Sequence, residues 1–449
     1  MVTVRDRAMV WALAILAGLA MVVGVSPALA GGSPRPPNII LIVADDLGWG
    51  DVGFNGRREW ATPNLDRLAR QGTVLRRCYA AAAVCAPSRA AFLTGRCPIH
   101  TGVRRNDQDL PAEEVTIAEV LQLKGYTTAL FGKWHHGKPR AGRRDYVHPM
   151  DQGFDAFFGY ADAADAWEKF PEALWDGRRR VAVSGYFDDL ITDRAVEFLG
   201  ARQDRPFFLY LAPTATHFHI DAPADEVARH RGKVPETNPA QPLNATYAAM
   251  VTRLDRNVGR VVEALERLHR TGETLIVFTS DNGATFESGN QGTSAALDSN
   301  RPFRGQKRTL WEGGIRVPAL ACWPGTIPAG VISDEAVQLT DLLPTFAAAA
   351  GAKLDPSRHL DGVNQLPHWT GLASAVERTL FWEWDSEGTR QLAAMRGRHK
   401  LVITAGGKPE LYDIVGDPAE RRDLSAQYPD LTRQLRTELH AWFQSATPR

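Results

Sequence analysis

Two acidic groups stand where buried strands would end. Asp45-Asp46 follows the apolar run Asn38-Ile39-Ile40-Leu41-Ile42-Val43-Ala44, and Asp281-Asn282-Gly283 comes shortly after Leu275-Ile276-Val277-Phe278-Thr279. Three carboxylates and one amide offer only oxygen, so they suit a hard cation such as Ca2+ or Mg2+. A single Asp after a strand is ordinarily a helix cap or an Asx turn. Two such ends in one chain shift the reading to a metal site. Cationic groups recur in similar places. Lys133 and His135 lie in Gly132-Lys133-Trp134-His135, His217 lies in Ala215-Thr216-His217, and Lys307 lies in Arg304-Gly305-Gln306-Lys307. A lone Lys or His in a loop is usually solvated surface. Here each follows a strand or sits in a Gly-rich loop, on what should be one rim. Cations and a metal on one rim are equipment for neutralising a bound anion.

Those groups need a scaffold that gathers strand ends. The run at 38–44 shows no alternation, as expected of a strand buried on both faces. Segments 126–131, 207–211, 275–279 and 317–322 read as further strands. Thr62-Pro63 opens a helix that Gly72 closes, and Thr116-Ile117-Ala118-Glu119 is a capping box. A long helix is expected over 245–268, where Met250, Val251, Leu254, Val258, Val261, Val262 and Leu265 keep a helical period. Strands alternating with helices predict an α/β fold: a large, mostly parallel central sheet with helices on both faces. Ligands of such sheets sit beyond the carboxyl ends of the strands. From 377 onward, short candidates at 380–384, 392–396, 400–404 and 411–413 run in meander order, and a helix follows at 431–443. They predict a small C-terminal antiparallel sheet with a packed helix.

The chain has 449 residues, and 52 Lys+Arg balance 52 Asp+Glu. A zero formal charge supplies no basic field for nucleic acid or an anionic membrane. Arg5 and Arg7 precede an apolar stretch over 8–25, and Ala28-Leu29-Ala30 forms an A-x-A cleavage site. Residues 1–30 therefore read as a cleaved export signal, with an uncleaved anchor as the alternative. A periplasmic or secreted protein is expected, with no stable membrane insertion after cleavage. Residues 31–376 would form the main domain and 377–449 the small one. Cys78, Cys85, Cys97 and Cys322 are too few for a disulfide scaffold. A Cys78–Cys97 bridge and buried free thiols both fit.

Cys85-Ala86-Pro87-Ser88-Arg89, followed by Leu93-Thr94-Gly95-Arg96, resembles the signature of the type I sulfatases. Similar to that family too are Ala44-Asp45-Asp46-Leu47-Gly48-Trp49-Gly50-Asp51, Gly132-Lys133-Trp134-His135, Thr279-Ser280-Asp281-Asn282-Gly283 and Glu312-Gly313-Gly314-Ile315-Arg316-Val317-Pro318. In this order they are highly specific. The resemblance implies an alkaline-phosphatase/sulfatase-like fold and hydrolysis of sulfate monoesters. It implies that a maturation enzyme oxidises Cys85 to formylglycine, whose hydrate is the nucleophile. Asp45, Asp46, Asp281, Asn282 and the converted Cys85 would bind a divalent cation, usually Ca2+ in this family. Arg89, Lys133, His135, His217 and Lys307 would complete the pocket. In the implied roles His135 takes a proton from the hydrate, His217 and Lys307 serve the leaving alcohol, and Lys133 bridges sulfate and hydrate. Relatives often read A-P-H-x-P where this chain has Ala215-Thr216-His217-Phe218-His219, so His219 is the alternative to His217. His136 replaces an apolar residue and would touch substrate.

Two other activities belong with this reading: a phosphodiester or phosphonate monoester hydrolase of the same superfamily, and an unconverted sulfoglycan-binding protein. Loops at 161–185, 218–244 and 284–301 would wall the pocket and carry specificity. Their Trp167, Trp175, His219 and Arg301 have the chemistry to stack on or bind a sugar, although such residues more often serve structure or surface. An exported sulfatase without a basic surface fits sulfated polysaccharide fragments, so the expected substrate is a sulfated carbohydrate rather than a steroid or lipid.

Overall fold

Asn38–Ala44 (β1) is buried along its whole length, and its side chains alternate between two cores. Ile40, Ile42 and Ala44 enter one hydrophobic cluster, while Ile39, Leu41 and Val43 enter the other. A strand apolar on both faces needs cover on both faces, and this one fixes the centre of the molecule. The computed structural model describes residues 35–137, 147–162, 164–201, 204–238, 240–386, 389–404 and 406–446. The export segment expected at 1–30 lies outside them.

Further strands are Thr73–Tyr79 (β2), Thr127–Lys133 (β3), Ala156–Tyr160 (β4), Ala173–Asp176 (β5), Arg179–Ala182 (β6), Phe207–Ala212 (β7), Thr274–Ser280 (β8), Arg316–Val317 (β9), Leu320–Cys322 (β10) and Val331–Gln338 (β11). They form one sheet in the order β11-β2-β10-β8-β1-β7-β3-β4-β5-β6, with β9 beside β2. Its centre, β8-β1-β7-β3-β4, is parallel throughout. The strand expected over 317–322 is two strands, β9 and β10, parted at Pro318-Ala319 and both antiparallel to β2. Proline lacks the N–H that a continuous ladder would need there.

The long helix Leu243–Arg267 buries Met250, Val251, Leu254, Val258, Val261, Val262 and Leu265 against one face. Helices Phe187–Gly200 and Pro63–Gln71 join it there. Asp255 of the long helix accepts the Asn64 and Leu65 backbone N–H groups at 3.0 and 2.8 Å, which satisfies otherwise orphaned donors of the Pro63–Gln71 helix. The opposite face is covered by helices Cys85–Thr94, Ile117–Leu123 and Leu342–Ala349. The capping box forms as expected: Thr116 Oγ1 accepts from the Glu119 N–H at 3.2 Å, and Glu119 accepts from the Thr116 N–H at 2.8 Å.

The C-terminal strands Thr379–Ser386 (β12), Thr389–Arg396 (β13), His399–Ile403 (β14) and Glu410–Asp413 (β15) form an antiparallel meander. Helix Pro429–Gln444 covers one face through Leu435 and Leu439. The other face sets Trp382, Met395 and Val402 against Tyr79, Val84 and Ile315 of the main body. Trp382 Nε1 donates to the Ala80 carbonyl at 2.7 Å across this seam. Cys78, Cys85, Cys97 and Cys322 are all buried free thiols, so Cys78 and Cys97 form no bridge. Among the described residues, no helix is long and apolar enough to cross a membrane.

Candidate active site

Parallel pairing of β1 with β8 puts Ala44 opposite Ser280, so the chain leaves both strands side by side. Asp45 and Asp46 therefore meet Asp281 and Asn282. The Asp46 backbone N–H donates to Asp281 Oδ1 at 3.2 Å, and Asn282 Nδ2 donates to Asp46 Oδ1 at 2.7 Å. Asp46 has φ 59°, and His135, just past β3, has φ 81°. Non-glycine residues seldom hold this left-handed geometry, and such backbone concentrates at functional sites. The loop after β8 also passes very close to the segment Glu312–Ile315. A Cβ added to Gly283 would lie 1.9 Å from the Gly313 carbonyl oxygen, so only glycine fits.

Helix Cys85–Thr94 points its N-terminus into this cluster. The Cys85 thiol donates to Asp45 Oδ1 at 3.3 Å and lies 3.8 Å from Asp46 Oδ1. One turn on, Arg89 is fully buried. Its Nε and Nη2 reach Asp281 Oδ2 at 2.9 and 2.8 Å, and its Nη1 donates to the Lys133 carbonyl at 3.1 Å and Tyr210 Oη at 2.8 Å. Lys133 Nζ lies 2.6 Å from Asp45 Oδ2, and Lys307 Nζ lies 2.8 and 2.9 Å from the Asp46 oxygens.

The loop after β7 is stitched to the end of β1. The Thr216 N–H donates to the Asp45 carbonyl at 2.6 Å, and the Asp45 N–H donates to that of Ala215 at 3.0 Å. This places His217 Nε2 3.8 Å from Asp46 Oδ2. His217 Nδ1 lies 2.6 Å from the Phe218 carbonyl, which can only accept. Nδ1 therefore carries the proton, and Nε2 faces the carboxylates. His219 is exposed at the rim, with its ring 6.1 Å from that of Trp167.

Burial governs the electrostatics. It pushes the Asp281 carboxyl up to about 6 against the pull of Arg89, and it raises Asp46 against Lys307. At Asp45 burial is outweighed by Lys133, His217, Arg89 and Lys307 together, and the carboxyl stays well below its usual range. Burial, then Asp281 and Asp45, drives the Cys85 thiol well up, so its thiolate is scarce. Burial, then Lys133, holds His135 well below its usual value and thus neutral.

The oxygen donors here fit a hard cation, and the Cys85 sulfur lies among them. Asp45, Asp46, Cys85 and Asp281 each present a ligand atom within 4.8 Å of the others. Among the described residues the buried Asn282 Oδ1 has no hydrogen-bond partner, although its Nδ2 is fully used. A buried amide oxygen left over beside three carboxylates is the donor set a Ca2+ or Mg2+ ion takes.

The structure thus brings together Asp45, Asp46, Cys85, Arg89, Lys133, His217, Asp281, Asn282 and Lys307. His135 adjoins them, with both ring nitrogens unpartnered among the described residues. His136, expected to touch substrate, is instead fully buried and edge-on to Trp134 at 5.3 Å. Arg301 spends its guanidinium on Glu59 at 2.8 and 2.9 Å. Two buried residues escaped the sequence reading. Tyr210 is the one hydroxyl in the strand Phe-Phe-Leu-Tyr-Leu-Ala, which was its only signal. Lys169 is buried behind the His217 loop and donates to the Thr214 carbonyl at 3.0 Å, and nothing in its sequence context marks it.

The sulfatase family model matches residues 37–352, and the model of the N-sulphoglucosamine sulphohydrolase C-terminal region matches 304–445. Mouse steryl-sulfatase is 32% identical, covering 92% of this chain and 82% of its own. Human arylsulfatase A is 34% identical, covering 92% and 85%. The crystal structure of Ps i-CgsB with k-i-k-neocarrahexaose superposes with a TM-score of 0.82 at 33% identity, covering 92% of this chain and 94% of that one. Matches that span both the strand-end carboxylates and the C-terminal meander leave one conclusion: the chain belongs to the sulfatase family and is a sulfuric ester hydrolase.

Proposed function

We propose that the protein is an exported hydrolase of sulfate monoesters on carbohydrates, acting through formylglycine made from Cys85 and a divalent cation, Ca2+ by preference. The observation that carries this reading is the Cys85 thiol at 3.3 Å from Asp45, inside the carboxylate cluster and at a helix N-terminus. The thiol occupies the place of the hydrate oxygens of the converted residue. Asp45, Asp46, Asp281 and Asn282 would hold the cation, which supplies charge neutralisation when bound. The converted residue supplies two hydroxyls on one carbon, one to attack sulfur and one for the later release of sulfate.

This chain's own side chains do the rest. Three carboxylates already face the three cations Arg89, Lys133 and Lys307, so a bound dication leaves the pocket positive toward a monoanionic ester. Lys133, 2.6 Å from Asp45, would bridge the ester and the residue 85 oxygens. His135, neutral and unpartnered, takes the proton that must leave before sulfate departs. His217 Nε2 and Lys307 both lie against Asp46 and would serve the leaving oxygen. Water enters in balance, and an alcohol and sulfate leave.

The rim supports a sugar substrate. Trp167 is 41% exposed, with its ring 5.2 Å from Phe218, which in turn stacks on His217 at 4.2 Å. An aromatic face one step from the leaving-group histidine is a stacking surface for a pyranose ring. The likeness to a protein crystallised with a carrageenan hexaose points the same way.

The test begins with the mass of the tryptic peptide over 78–89, from protein co-expressed with a formylglycine-generating enzyme. Turnover of an aryl sulfate, a sulfated oligosaccharide and an aryl phosphodiester is then compared. An aldehyde at position 85 with sulfate release is the expected result. An intact thiol, beside a control sulfatase converted in the same cells, overturns the nucleophile. A preference for the phosphodiester overturns the substrate class.

A further inference from the structure

A second cluster of ligating side chains lies away from the strand ends, where the short helix Pro98–Thr101, the loop at 357–361 and the end of helix Pro429–Gln444 come together. His100, His359 and Asp361 each present a ligand atom there within 4.8 Å of the others. His100 Nδ1 is 2.8 and 3.0 Å from the two Asp361 oxygens, and His359 Nε2 is 3.2 Å from Asp361 Oδ1. The His100 and His359 rings meet edge-on at 4.7 Å.

Hydrogen bonding fixes the place of one His100 proton. His100 Nε2 is 3.2 Å from Ser445 Oγ. That hydroxyl already donates its one hydrogen to the Trp442 carbonyl at 2.6 Å, so it can only accept from His100. The Nε2 hydrogen is thereby fixed, and a neutral His100 aims its Nδ1 lone pair at the Asp361 carboxylate. Two electron-rich atoms 2.8 Å apart require a cation between them, either a proton or a metal ion.

The surroundings match those of a metal ligand set. A ligating histidine usually has its other nitrogen held by a second group, as Ser445 holds His100. Asp361 is held in place from three sides. Its Oδ2 accepts the Cys97 N–H at 2.6 Å, its own N–H donates to the Gly95 carbonyl at 3.0 Å, and its carbonyl accepts from Arg378 at 3.0 Å. A tetrahedral ion with bonds of about 2.0–2.2 Å sets its ligand atoms about 3.3–3.5 Å apart. The His359–Asp361 separation of 3.2 Å is close to that, and the 2.8 and 3.0 Å at His100 are about 0.3–0.7 Å short, so the His100 and Asp361 side chains would move apart to admit an ion. The His359 side chain is 61% exposed, which gives an entry path and a side open to a water ligand.

We propose that His100, His359 and Asp361 form a site for a borderline transition-metal dication of the Zn2+ class, which pins the 357–361 loop to the Pro98–Thr101 helix. Two imidazoles select against Ca2+ and Mg2+, so this site is chemically separate from the all-oxygen set at the strand ends.

The test uses full-length, untagged protein, stripped with EDTA and saturated with Ca2+ to keep the strand-end carboxylates occupied. Calorimetric titration with Zn2+ is expected to show one ion per chain. His359→Ala and His100→Ala should each weaken that binding at least about tenfold, since even loss of a supporting contact costs 10–100-fold. His359→Ala should keep its Ca2+-dependent hydrolysis, and Zn2+ should raise the melting temperature of the parent but not of this variant. Zn2+ binding of unchanged stoichiometry and affinity in both variants overturns the proposal. So does a parent protein that binds no Zn2+, because the cation between His100 and Asp361 is then a proton.

Discussion

Two of the buried clusters of opposite charges among the described residues are built on different terms. At the seam with the C-terminal sheet, Lys400 Nζ sits 2.9 Å from Glu312 and 3.0 Å from Glu420. Arg316 at 3.2 Å and the Tyr79 hydroxyl at 3.0 Å take the other Glu312 oxygen, and the Glu312 N–H donates to Glu420 at 2.7 Å. The charges of this cluster pair with one another, and Glu420 Oε1 meets Lys400 as an ion pair without a further hydrogen bond among the described residues. At the strand ends, Asp45, Asp46 and Asp281 meet Lys133, Lys307 and Arg89 at similar distances. There, among the described residues, Asn282 Oδ1 and both His135 nitrogens are left without partners. One cluster holds two sheets together. The other keeps unused donors and acceptors for atoms the chain does not supply. Desolvation makes either arrangement expensive, so leftover polar atoms in a buried site are a functional signal.

Substitutions separate the two terms. The largest effect is expected from Cys85→Ala, with complete loss of sulfate release and an unchanged circular dichroism spectrum. Turnover surviving in that variant would break the proposed mechanism. Next comes a matched pair, Lys133→Met and Lys400→Met. Lys133→Met should lower kcat by about 10²–10³, and added Ca2+ should restore most of any lost melting temperature, since a dication can answer for Asp45. Lys400→Met leaves two buried carboxylates facing each other and should cost about 3–5 kcal/mol of stability. Ca2+ should not rescue it, and turnover per folded molecule should hold. Equal rescue of both variants would erase the distinction between the clusters.

A smaller, selective effect is expected of His217→Ala. Its loss of rate should be about tenfold or more greater on sugar sulfates than on activated aryl sulfates, whose leaving oxygens need little help. Equal losses on both would remove His217 from the leaving-group side. The smallest effect concerns pH. Burial first, and Glu312 beside it, push Glu420 up to about 7 despite Lys400. The native chain therefore keeps a proton that the unfolded chain releases near 4.5, and stability falls as pH rises from there through 7. Glu420→Gln should flatten that slope in melting temperature measured from pH 5 to pH 8, and an unaltered slope would assign it elsewhere.

Legibility in the sequence followed physical simplicity. The central strands β1, β7 and β8 are continuous apolar runs, and the carboxylates at their ends could be placed by the rule for parallel sheets. Strand β2 was hidden because Arg76 and Arg77 interrupt it, and Arg77 is buried by donating to the Asp334 carbonyl at 3.2 Å and to the Gly397 carbonyl. Strand β11 was hidden because an edge strand exposes Val331, Ile332 and Asp334 and shows no clean period. His217 and His219 could not be told apart by spacing. The Asp45–Thr216 bridge turns one toward the carboxylates and leaves the other at the rim. Lys169 was illegible for a related reason, since a lysine's burial depends on which loop folds over it.

The burial of Cys85 also has a consequence for biogenesis. Every residue of helix Cys85–Thr94 is buried, and Cys85 itself is 1% exposed. No second enzyme can close its own active site around that thiol once the sheet has assembled. Under the proposed mechanism, oxidation of Cys85 is therefore expected on the unfolded polypeptide, in competition with folding. On that proposal a chain that folds first stays in the thiol form, and the active fraction of a preparation is decided by relative rates during synthesis rather than by treatment of the finished protein.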